Sequence, residues 1–472
     1  MNPPAGKLSF KEKVGYSVGD TASNLFFQSF MLFLLYFYTD VAGLSAAAVG
    51  TLFLVTRIWD AVNDPIMGTI ADHTNTRWGK FRPYLLWCAV PFGVMGVLLF
   101  TVPDFDATGK LIYAYITYNL MMMAYTAINV PYSALMAVIT PNSLARTELS
   151  SFRFVAAFVG GLIVQGATLS LVRYFGGGDE ALGWQLAMAC ISGLAVMLFV
   201  ITFLTTRERV SPPKGQKSDF GRDLKELFSN KPWLLIGGAT VFQLVFIVVR
   251  NSSVLYYFKY YVKDQQLVLF GQTIALSFEA FSSSFLTSGM IITICGAILA
   301  KWFAKKLDKK FTYAGFLILA ALANAFFYIV QPQDVLLIYL LNAVFSFAVG
   351  PVSVLQWAMY TDTADYAEWT KGRRATGLLM AASLFALKLG LTLGGAIVGW
   401  ALAYYGFEAN QVQTAGTLSG IVLLMSIYPA AFGLIGGVIM AFYPLTNKMM
   451  QKIEEELAAR RLSAGEASAH GA

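Results

Sequence analysis

Residues 206–232 read TRERVSPPKGQKSDFGRDLKELFSNKP and form the one long hydrophilic stretch between apolar runs in this 472-residue chain. The stretch contains Pro212-Pro213 and seven basic residues. On both sides of it, apolar runs recur that are long enough to cross about 30 Å of hydrocarbon. We predict six spans before the stretch and six after it. The predicted spans are 14–40, 46–71, 83–103, 110–140, 148–174, 183–205, 233–261, 284–304, 312–331, 334–361, 375–404 and 415–443.

The composition supports a membrane protein. Charged residues are 13% of the chain, against about 25% in soluble proteins. Because the apolar runs are continuous, they favour helices over the alternating strands of a membrane barrel. The sequence predicts an all-α polytopic protein with twelve transmembrane helices in two six-helix bundles, a plan that resembles the major facilitator fold. The predicted parts are bundles at 1–205 and 233–443, a cytoplasmic middle loop at 206–232 and a cytoplasmic tail at 444–472.

The placement of Lys and Arg predicts the orientation. With the N-terminus inside, 26 basic residues fall in inner segments and 4 in outer segments. We therefore expect both termini to be cytoplasmic in a bacterial-type inner membrane. This bias also accounts for the net charge of +7, so no nucleic-acid partner is expected. With two histidines in the chain, no zinc or haem cofactor is expected either. Segment 264–283 is read as an amphipathic outer loop or as part of a neighbouring helix.

The second span holds the densest group of intramembrane charges. Asp60, Asn63 and Asp64 stand at i, i+3 and i+4, which places them on one helical face. Two carboxylates and an amide oxygen are ligands that a hard monovalent cation prefers. Thr126 in the fourth span offers a hydroxyl that could complete the shell. The same carboxylates could instead hold a proton, or Arg57 could pair with Asp60 while Asp64 caps a helix break.

Further polar groups lie inside other spans. Tyr125 and Asn129 stand one turn apart and could face a solute, or they could join helices through hydrogen bonds. The intramembrane bases Arg153, Arg250 and Lys388 could bind a polyol or an acid, or could pair with Asp20, Asp60 or Asp64. The aromatic pair Trp357 and Tyr360 could stack on a sugar ring, pack in a core or lie in an interfacial belt.

Two predicted cytoplasmic clusters mix acids and bases at the membrane edge. The first lies in 72–83 and includes Arg77, Lys80 and Arg82. The second lies in 362–374 and includes Asp362, Asp365, Arg373 and Arg374. Such clusters could form a cytoplasmic gate that closes in one state and opens in another. Alternatively, they could reflect only the excess of Lys and Arg that is usual in cytoplasmic loops.

Several motifs resemble those of one family. These are Tyr38-Thr39-Asp40, the run from Gly50 to Pro65, Arg77-Trp-Gly-Lys-Phe-Arg-Pro83, Ile128-Asn-Val-Pro-Tyr132 and Asp362-Thr-Ala-Asp-Tyr366. They are similar to the motifs of the glycoside–pentoside–hexuronide:cation symporters, the melibiose permease-like group of the major facilitator superfamily. The resemblance covers nearly the whole chain. It implies sugar uptake coupled to Na⁺, Li⁺ or H⁺, with no other cofactor.

The resemblance also implies site residues. The cation site of the family falls on Asp60, Asn63, Asp64 and Thr126. Its span-five arginine and span-eleven lysine match Arg153 and Lys388. Two acids of the galactoside site are replaced by Asn24 and Asn129, which argues against a galactoside as the solute. The predicted solute set is Asn24, Tyr125, Asn129, Arg153, Trp357 and Lys388.

We therefore predict a symporter rather than an enzyme, working as a monomer in a lipid bilayer. The solute is predicted to be a glycoside, with a xyloside, another oligosaccharide or a uronide as candidates. A cation-coupled lysolipid carrier of the same fold is the first alternative, but the polar solute set disfavours it. A non-transporting membrane sensor is the second.

Overall fold

The computed structural model describes residues 8–140, 143–209, 228–269, 272–372, 376–453, 455–457 and 459. The described residues are almost all helical. The first helices are α1 (Phe10–Tyr36), α2 (Ala46–His73), α3 (Arg82–Trp87), α4 (Ala89–Leu99), α5 (Ala107–Ile139), α6 (Ser143–Gly176) and α7 (Glu180–Thr205). The later ones are α8 (Lys231–Tyr256), α9 (Phe278–Leu307), α10 (Lys309–Ala325), α11 (Val335–Lys371), α12 (Thr376–Tyr404), α13 (Ala415–Met425) and α14 (Ile427–Ala441).

Short elements extend or join these helices. π-helical turns continue α1 (Phe37–Val41) and α8 (Tyr257–Val262), and a 3₁₀ turn (Phe326–Ile329) follows α10. Strands β1 (Gln265–Leu269) and β2 (Gln272–Leu276) form an antiparallel pair. Segment 264–283, which the sequence leaves open between two readings, is thus this hairpin followed by the start of α9. The hairpin is a small exception within an all-α architecture.

The membrane architecture is confirmed, while the number of spans stays a prediction. Nine helices among the described residues are long and apolar enough to cross a membrane. The predicted spans 14–40, 46–71 and 83–103 fall outside this set. Within two of these predicted spans, shorter apolar helices lie at Ala46–Arg57 and Ala89–Leu99, and 83–103 is divided into α3 and α4 at Cys88. The last predicted span is divided at Ser426, between α13 and α14.

The chain falls into two compact units, each described here by itself. The first unit comprises 1–215, 251–290 and 395–422, and the second comprises 216–250, 291–394 and 423–472. Helices α8, α9, α12 and α13 are divided between the two units. The predicted division into bundles at 1–205 and 233–443 therefore stays a prediction.

Close helix packing in the first unit positions the candidate site. Helix α1 packs against α6 and α7, and α2 packs against α5. Gly160 of α6 lies so near α1 that a Cβ there would stand 2.8 Å from the Thr21 carbonyl oxygen. A residue without a side chain is needed for this approach, as is common between membrane helices.

The second unit has its own apolar core. Helix α10 packs against α11 and α14, and the fully buried aromatic residues of the core include Tyr313 and Tyr360. Gly350 of α11 meets α9, where a Cβ would lie 2.4 Å from the Thr293 carbonyl oxygen. Pro351 follows without ending α11.

Candidate functional site

The acidic turn of α2 meets the hydroxyl of Thr126 on α5. Thr126 Oγ1 lies 2.9 Å from Asp64 Oδ1 and 3.2 Å from Asp60 Oδ1. Asp60 and Thr126 are buried, with 1% and 2% of their surface exposed. Because the two carboxylates share one helical face, a single hydroxyl reaches both. The structure therefore brings three of the four predicted cation ligands together.

The fourth predicted ligand, Asn63, is half-buried on the same turn. Within the part of the chain that the structure describes, its amide makes no hydrogen bond to the other three. Arg57 also contributes to this site, since its Nη1 lies 3.6 Å from Asp60 Oδ2. The Arg57–Asp60 pair that the sequence leaves as an alternative is thus present beside the Thr126 contact. Among the described residues, no group of three or more His, Cys, Asp or Glu could hold a metal ion.

Arg153, predicted to contact solute, is paired with Asp20 of α1. Its Nη2 donates to Asp20 Oδ1 at 3.1 Å, and its Nε donates to Oδ2 of the same carboxylate. The guanidinium carbon also lies 4.9 Å from the ring centre of Tyr132, whose hydroxyl donates to Asp20 at 3.0 Å. Sequence reasoning offers Asp20 as a possible partner of Arg153 and leaves it outside the predicted solute set.

The amides of the predicted solute set bond to neighbours on α1 and α5. Asn24 Nδ2 donates to the Asp20 carbonyl at 2.9 Å. Asn129 Nδ2 donates to the Tyr125 carbonyl at 3.0 Å, and Asn129 Oδ1 accepts from Ser23 at 2.5 Å. These side chains and Tyr125 are each half-buried. The first unit therefore gathers Asn24, Tyr125, Asn129 and Arg153 around the Asp20–Arg153 pair.

The other two predicted solute residues lie in the second unit. Trp357 is half-buried and packs edge-on against Tyr360 with ring centres 6.1 Å apart. The Tyr360 hydroxyl hydrogen-bonds Thr240 at 2.8 Å, so Tyr360 belongs to the core. Lys388 is half-buried on α12.

Arg250 is a buried cation of the second unit, with 2% of its surface exposed. It donates to the side-chain oxygens of Asn324 at 2.9 Å and Asn342 at 2.7 Å. Its guanidinium carbon lies 3.8 Å from the ring centre of Phe345. Asn324 in turn donates to the carbonyls of residues 425 and 426, where α13 ends. Arg250 thus supports the helix break at the end of α13 through Asn324.

The first predicted cytoplasmic cluster is built around Glu208, which sequence reasoning missed. The Glu208 carboxylate accepts the backbone N–H groups of Lys80, Phe81 and Arg82 at 2.8, 2.7 and 2.9 Å. These groups precede or begin α3, where the helix dipole favours an anion. Gly79 has a φ of +113°, and a Cβ there would lie 2.5 Å from this carboxylate. The Arg-Trp-Gly-Lys-Phe-Arg motif therefore forms a carboxylate-binding turn.

The charged side chains of this cluster have separate contacts. Arg82 donates to the carbonyls of Phe203 and Trp78 at 2.7 and 3.2 Å. Arg77 is exposed, and its guanidinium carbon lies 4.7 Å from the Trp78 ring centre.

Arg209 lies four residues after the end of α7 at Thr205 and also joins this end of the first unit. It forms a bidentate ion pair with Glu12 at 2.6 and 2.9 Å. This hydrogen-bonded carboxylate raises the pKa of the Arg209 guanidinium. The Arg209 backbone N–H donates to the Val138 carbonyl at 2.8 Å. The contacts tie the residues after α7 to the start of α1 and the end of α5.

In the second predicted cluster, Asp362 of α11 is paired with Lys309, the first residue of α10. Lys309 Nζ lies 2.9 and 2.7 Å from the two Asp362 oxygens, and the Asp362 side chain is 9% exposed. Asp365 is half-buried one turn further along α11. Arg373 and Arg374 lie outside the described residues. The role of these groups as a gate stays a prediction.

Comparisons with known proteins identify the family. A family described as MFS/sugar transport protein matches residues 15–447. The inner membrane symporter YicJ of Escherichia coli K12 is 38% identical over 96% of this chain and 95% of its own length. The putative glycoside/cation symporter YagG of the same organism is 38% identical over 98% and 97%. The isoprimeverose transporter of Lactiplantibacillus pentosus is 34% identical over 95% and 92%.

A solved structure agrees with the fold. A bacterial homologue of the human drug peptide transporters PepT1 and PepT2 superposes with a TM-score of 0.67 at 15% identity, over 91% of this chain and 97% of that one. At this identity the likeness concerns the fold alone. The family match and the three relatives extend over nearly the whole chain. The chain therefore belongs to the MFS/sugar transport protein family, and it is a transporter rather than an enzyme.

Proposed function

We propose that this protein is a secondary active symporter that imports a neutral glycoside together with Na⁺ by alternating access. The observation that carries the proposal is the contact of Thr126 with both Asp60 and Asp64. Three oxygen-bearing side chains converge there, those of Asp60 and Thr126 buried and that of Asp64 half-buried, and Asn63 supplies a fourth oxygen on the same turn. Such ligands suit a hard monovalent cation. Two of the relatives, a putative glycoside/cation symporter and an isoprimeverose transporter, support the sugar and the coupling.

A proton is the second candidate for the coupling ion. Two carboxylates within reach of one hydroxyl repel each other when both are ionised, so one of them could carry a proton. Li⁺ would use the same oxygen ligands as Na⁺. We favour Na⁺ because a set of several oxygens exceeds what a proton needs. A lysolipid solute is disfavoured, since the first unit offers the polar side chains of Asn24, Asn129 and Arg153 rather than an apolar surface.

Helix α5 offers a route for coupling. Thr126 on this helix contacts the predicted cation ligands, and Asn129 lies almost one turn further along it. Asn129 accepts from Ser23 of α1, and the same helix holds Asp20, which is paired with Arg153. A cation that fixes α2 against α5 would therefore also fix residues predicted to bind solute. One net charge moved with a neutral sugar gains about 2.3 kcal/mol per 100 mV.

The remaining parts of the proposal follow from charge placement. We propose an inner-membrane location with both termini in the cytoplasm, because the basic residues cluster in the segments that the orientation rule puts inside. The predicted clusters around Arg82 and Asp362 would lie at that inner side. We propose that the monomer is the transporting unit.

The test uses purified protein in liposomes. Uptake of labelled isoprimeverose is measured with an inward Na⁺ gradient, with an inward H⁺ gradient and with neither, at matched membrane potential. We expect concentrative uptake with Na⁺ alone. The variant Asp64→Asn should lose this stimulation, whereas Asp104→Asn, which changes an exposed acid outside the site, should retain it. Stimulation by H⁺ alone would replace Na⁺ by H⁺, and uptake that ignores both gradients would contradict symport.

A further inference from the structure

A cavity lies in the first unit, away from the acidic turn of α2. Its volume is about 320 Å³, which is at the lower end of the range for small-molecule sites. Side chains from α1, α6, α7, α8, α9 and the 405–414 loop line it, at the helix ends that the orientation rule puts outside. The polar and aromatic groups that the argument uses are Tyr36, Arg173, Glu180, Trp184, Lys259 and Glu279.

Lys259 acts in this cavity as a fixed support. Its Nζ donates to Asp40 at 2.9 Å, to the Tyr36 hydroxyl at 2.9 Å and to Asn410 at 2.7 Å. An ammonium group has three donors, so these contacts use all of them. The Asp40 side chain is fully buried and balances the lysine charge. Lys259 therefore holds Tyr36 and Asn410 in place without offering a free cation to a ligand.

The acidic side chains of the cavity make fewer hydrogen bonds than Lys259 does. Glu180 accepts from Tyr36 through Oε1 at 2.9 Å. Glu279 is half-buried and makes no hydrogen bond or ion pair within the described ranges. Arg173 donates to Ser277 at 3.1 Å. With Asp40 and Asp179 counted, four carboxylates face two cations, so the surroundings carry a net negative charge.

One buried donor in the cavity wall has no partner. Trp184 is fully buried and stacks on Phe100 with ring centres 5.6 Å apart. Its indole N–H makes no hydrogen bond within the described part of the chain. A buried donor left unpaired costs about 1–3 kcal/mol, and a ligand hydroxyl would satisfy it. The acids and the indole together match a molecule that both donates and accepts hydrogen bonds.

We propose that this cavity is an outer subsite for the neutral glycoside and that its negative charge selects against uronides. Glu180 and Glu279 accept hydroxyl hydrogens of the sugar, and Trp184 donates to it. A uronide carboxylate meets repulsion there. The inference rests on the proposed function, and it adds a site and a reason for discrimination.

The first experiment tests occupancy by protection from labelling. Cys88, Cys190 and Cys295 are replaced by Ser, and Phe278→Cys is introduced because Phe278 lines the cavity. A membrane-impermeant maleimide is applied with and without saturating isoprimeverose or methyl β-D-glucuronide. We expect isoprimeverose to slow labelling at least threefold and the glucuronide to leave it unchanged. Val412→Cys, 99% exposed on the same loop as Asn410, should label equally under all conditions.

Uptake of isoprimeverose, measured in liposomes that contain the same Phe278→Cys protein, distinguishes failure of this inference from failure of the proposed function. Na⁺-driven uptake of isoprimeverose without any protection at position 278 overturns the outer subsite and leaves the symporter. Absence of both uptake and protection overturns both. Equal protection by the glucuronide overturns the selection against uronides.

The second experiment tests the charge without relying on a cysteine variant. Inhibition of isoprimeverose uptake by methyl β-D-glucuronide is compared in wild type and in Glu180→Gln/Glu279→Gln. We expect the double variant to be inhibited at about tenfold lower glucuronide concentration, since focused charge changes encounter by 10-fold or more. The wild-type discrimination should weaken as salt increases. Glu408→Gln changes an exposed acid outside the cavity and should behave as wild type. Identical inhibition in all three proteins overturns the electrostatic selection.

Discussion

The hydroxyl of Thr126 lies 2.9 Å from Oδ1 of Asp64, across the contact between α5 and α2. The two residues are 62 positions apart in the chain. Their contact places a neutral donor between carboxylates on one face of α2, and a bound cation would instead take the hydroxyl oxygen as a ligand. The behaviour of this hydroxyl therefore tests the cation site directly.

Replacing Thr126 by Val should weaken Na⁺ binding by about tenfold to a hundredfold, because a hydrogen bond or ligand contact to charged groups is worth about 1.5–3 kcal/mol. Val keeps the shape of the side chain and removes the oxygen. Na⁺ dependence of solute uptake is the measurement. Thr117→Val on the same helix, whose hydroxyl donates to the Tyr113 carbonyl, should keep the wild-type dependence. An unchanged Na⁺ dependence in Thr126→Val would remove this residue from the site.

The Asp20–Arg153 pair should show strong coupling in a double-mutant cycle. Its side chains are 14% and 22% exposed, so loss of one partner leaves a mostly buried charge, at a cost of about 3–5 kcal/mol. Thermal unfolding in detergent should show Asp20→Asn and Arg153→Gln each strongly destabilised. The double variant should lose less than the sum of the two. If the losses of stability in the two single variants add up to that of the double variant, Asp20 and Arg153 have no interaction energy.

Glu208 should be a stabilising residue although it lies in a loop. Glu208→Gln weakens three charge-assisted hydrogen bonds and should cost about 2 kcal/mol. Gly79→Ala should destabilise as well, since its φ of +113° disfavours a side chain and the Cβ would meet the carboxylate. Arg77→Gln, at an exposed neighbour, should stay within about 0.5 kcal/mol of wild type. Thermal unfolding curves of the three purified variants provide the comparison.

Neutralising Asp362 or Lys309 should slow uptake more than it weakens solute binding. Lys309 Nζ lies 2.7 Å from Asp362 Oδ2, at the predicted cytoplasmic edge of the second unit. We propose that this ion pair stabilises the conformation in which the transporter is closed to the cytoplasm. Loss of the pair would then shift the conformational equilibrium and lower net uptake about fivefold or more. Equilibrium binding measured on the same samples should change less than twofold. Lys452→Gln, in a pair exposed at 62% and 41%, is the control, and parallel losses of binding and uptake in Asp362→Asn would argue against a gate.

Solute and cation should each raise the affinity for the other by the same factor, because linkage is reciprocal. Couplings of this kind are about 1–3 kcal/mol, or roughly 5- to 150-fold. Calorimetry would measure isoprimeverose affinity with and without saturating Na⁺, and Na⁺ affinity with and without the sugar. Equal affinities in both comparisons would make the protein a facilitator rather than a symporter.

The features that the sequence determined by itself are those with a local physical cause. Continuous apolar runs predicted an all-helical membrane protein, because a chain in lipid must satisfy its backbone hydrogen bonds within each span. The spacing of Asp60 and Asp64 placed both on one face of α2, because a helix repeats every 3.6 residues. The same local signals predicted twelve spans, and they gave no sign of the break at Cys88.

Only the tertiary structure decided which polar groups meet. Arg153 could have bound a solute or any of three acids by sequence, and the packing of α6 against α1 pairs it with Asp20. Nothing in the sequence around Glu208 indicated a structural role. The fold gives it one, because three backbone N–H groups of the turn before α3 donate hydrogen bonds to its carboxylate. Glu208 lies more than 120 positions from that turn. Hydrogen bonds reach about 3 Å, whereas sequence spacing specifies neighbours within a helix, so contacts between distant helices depend on how the chain packs.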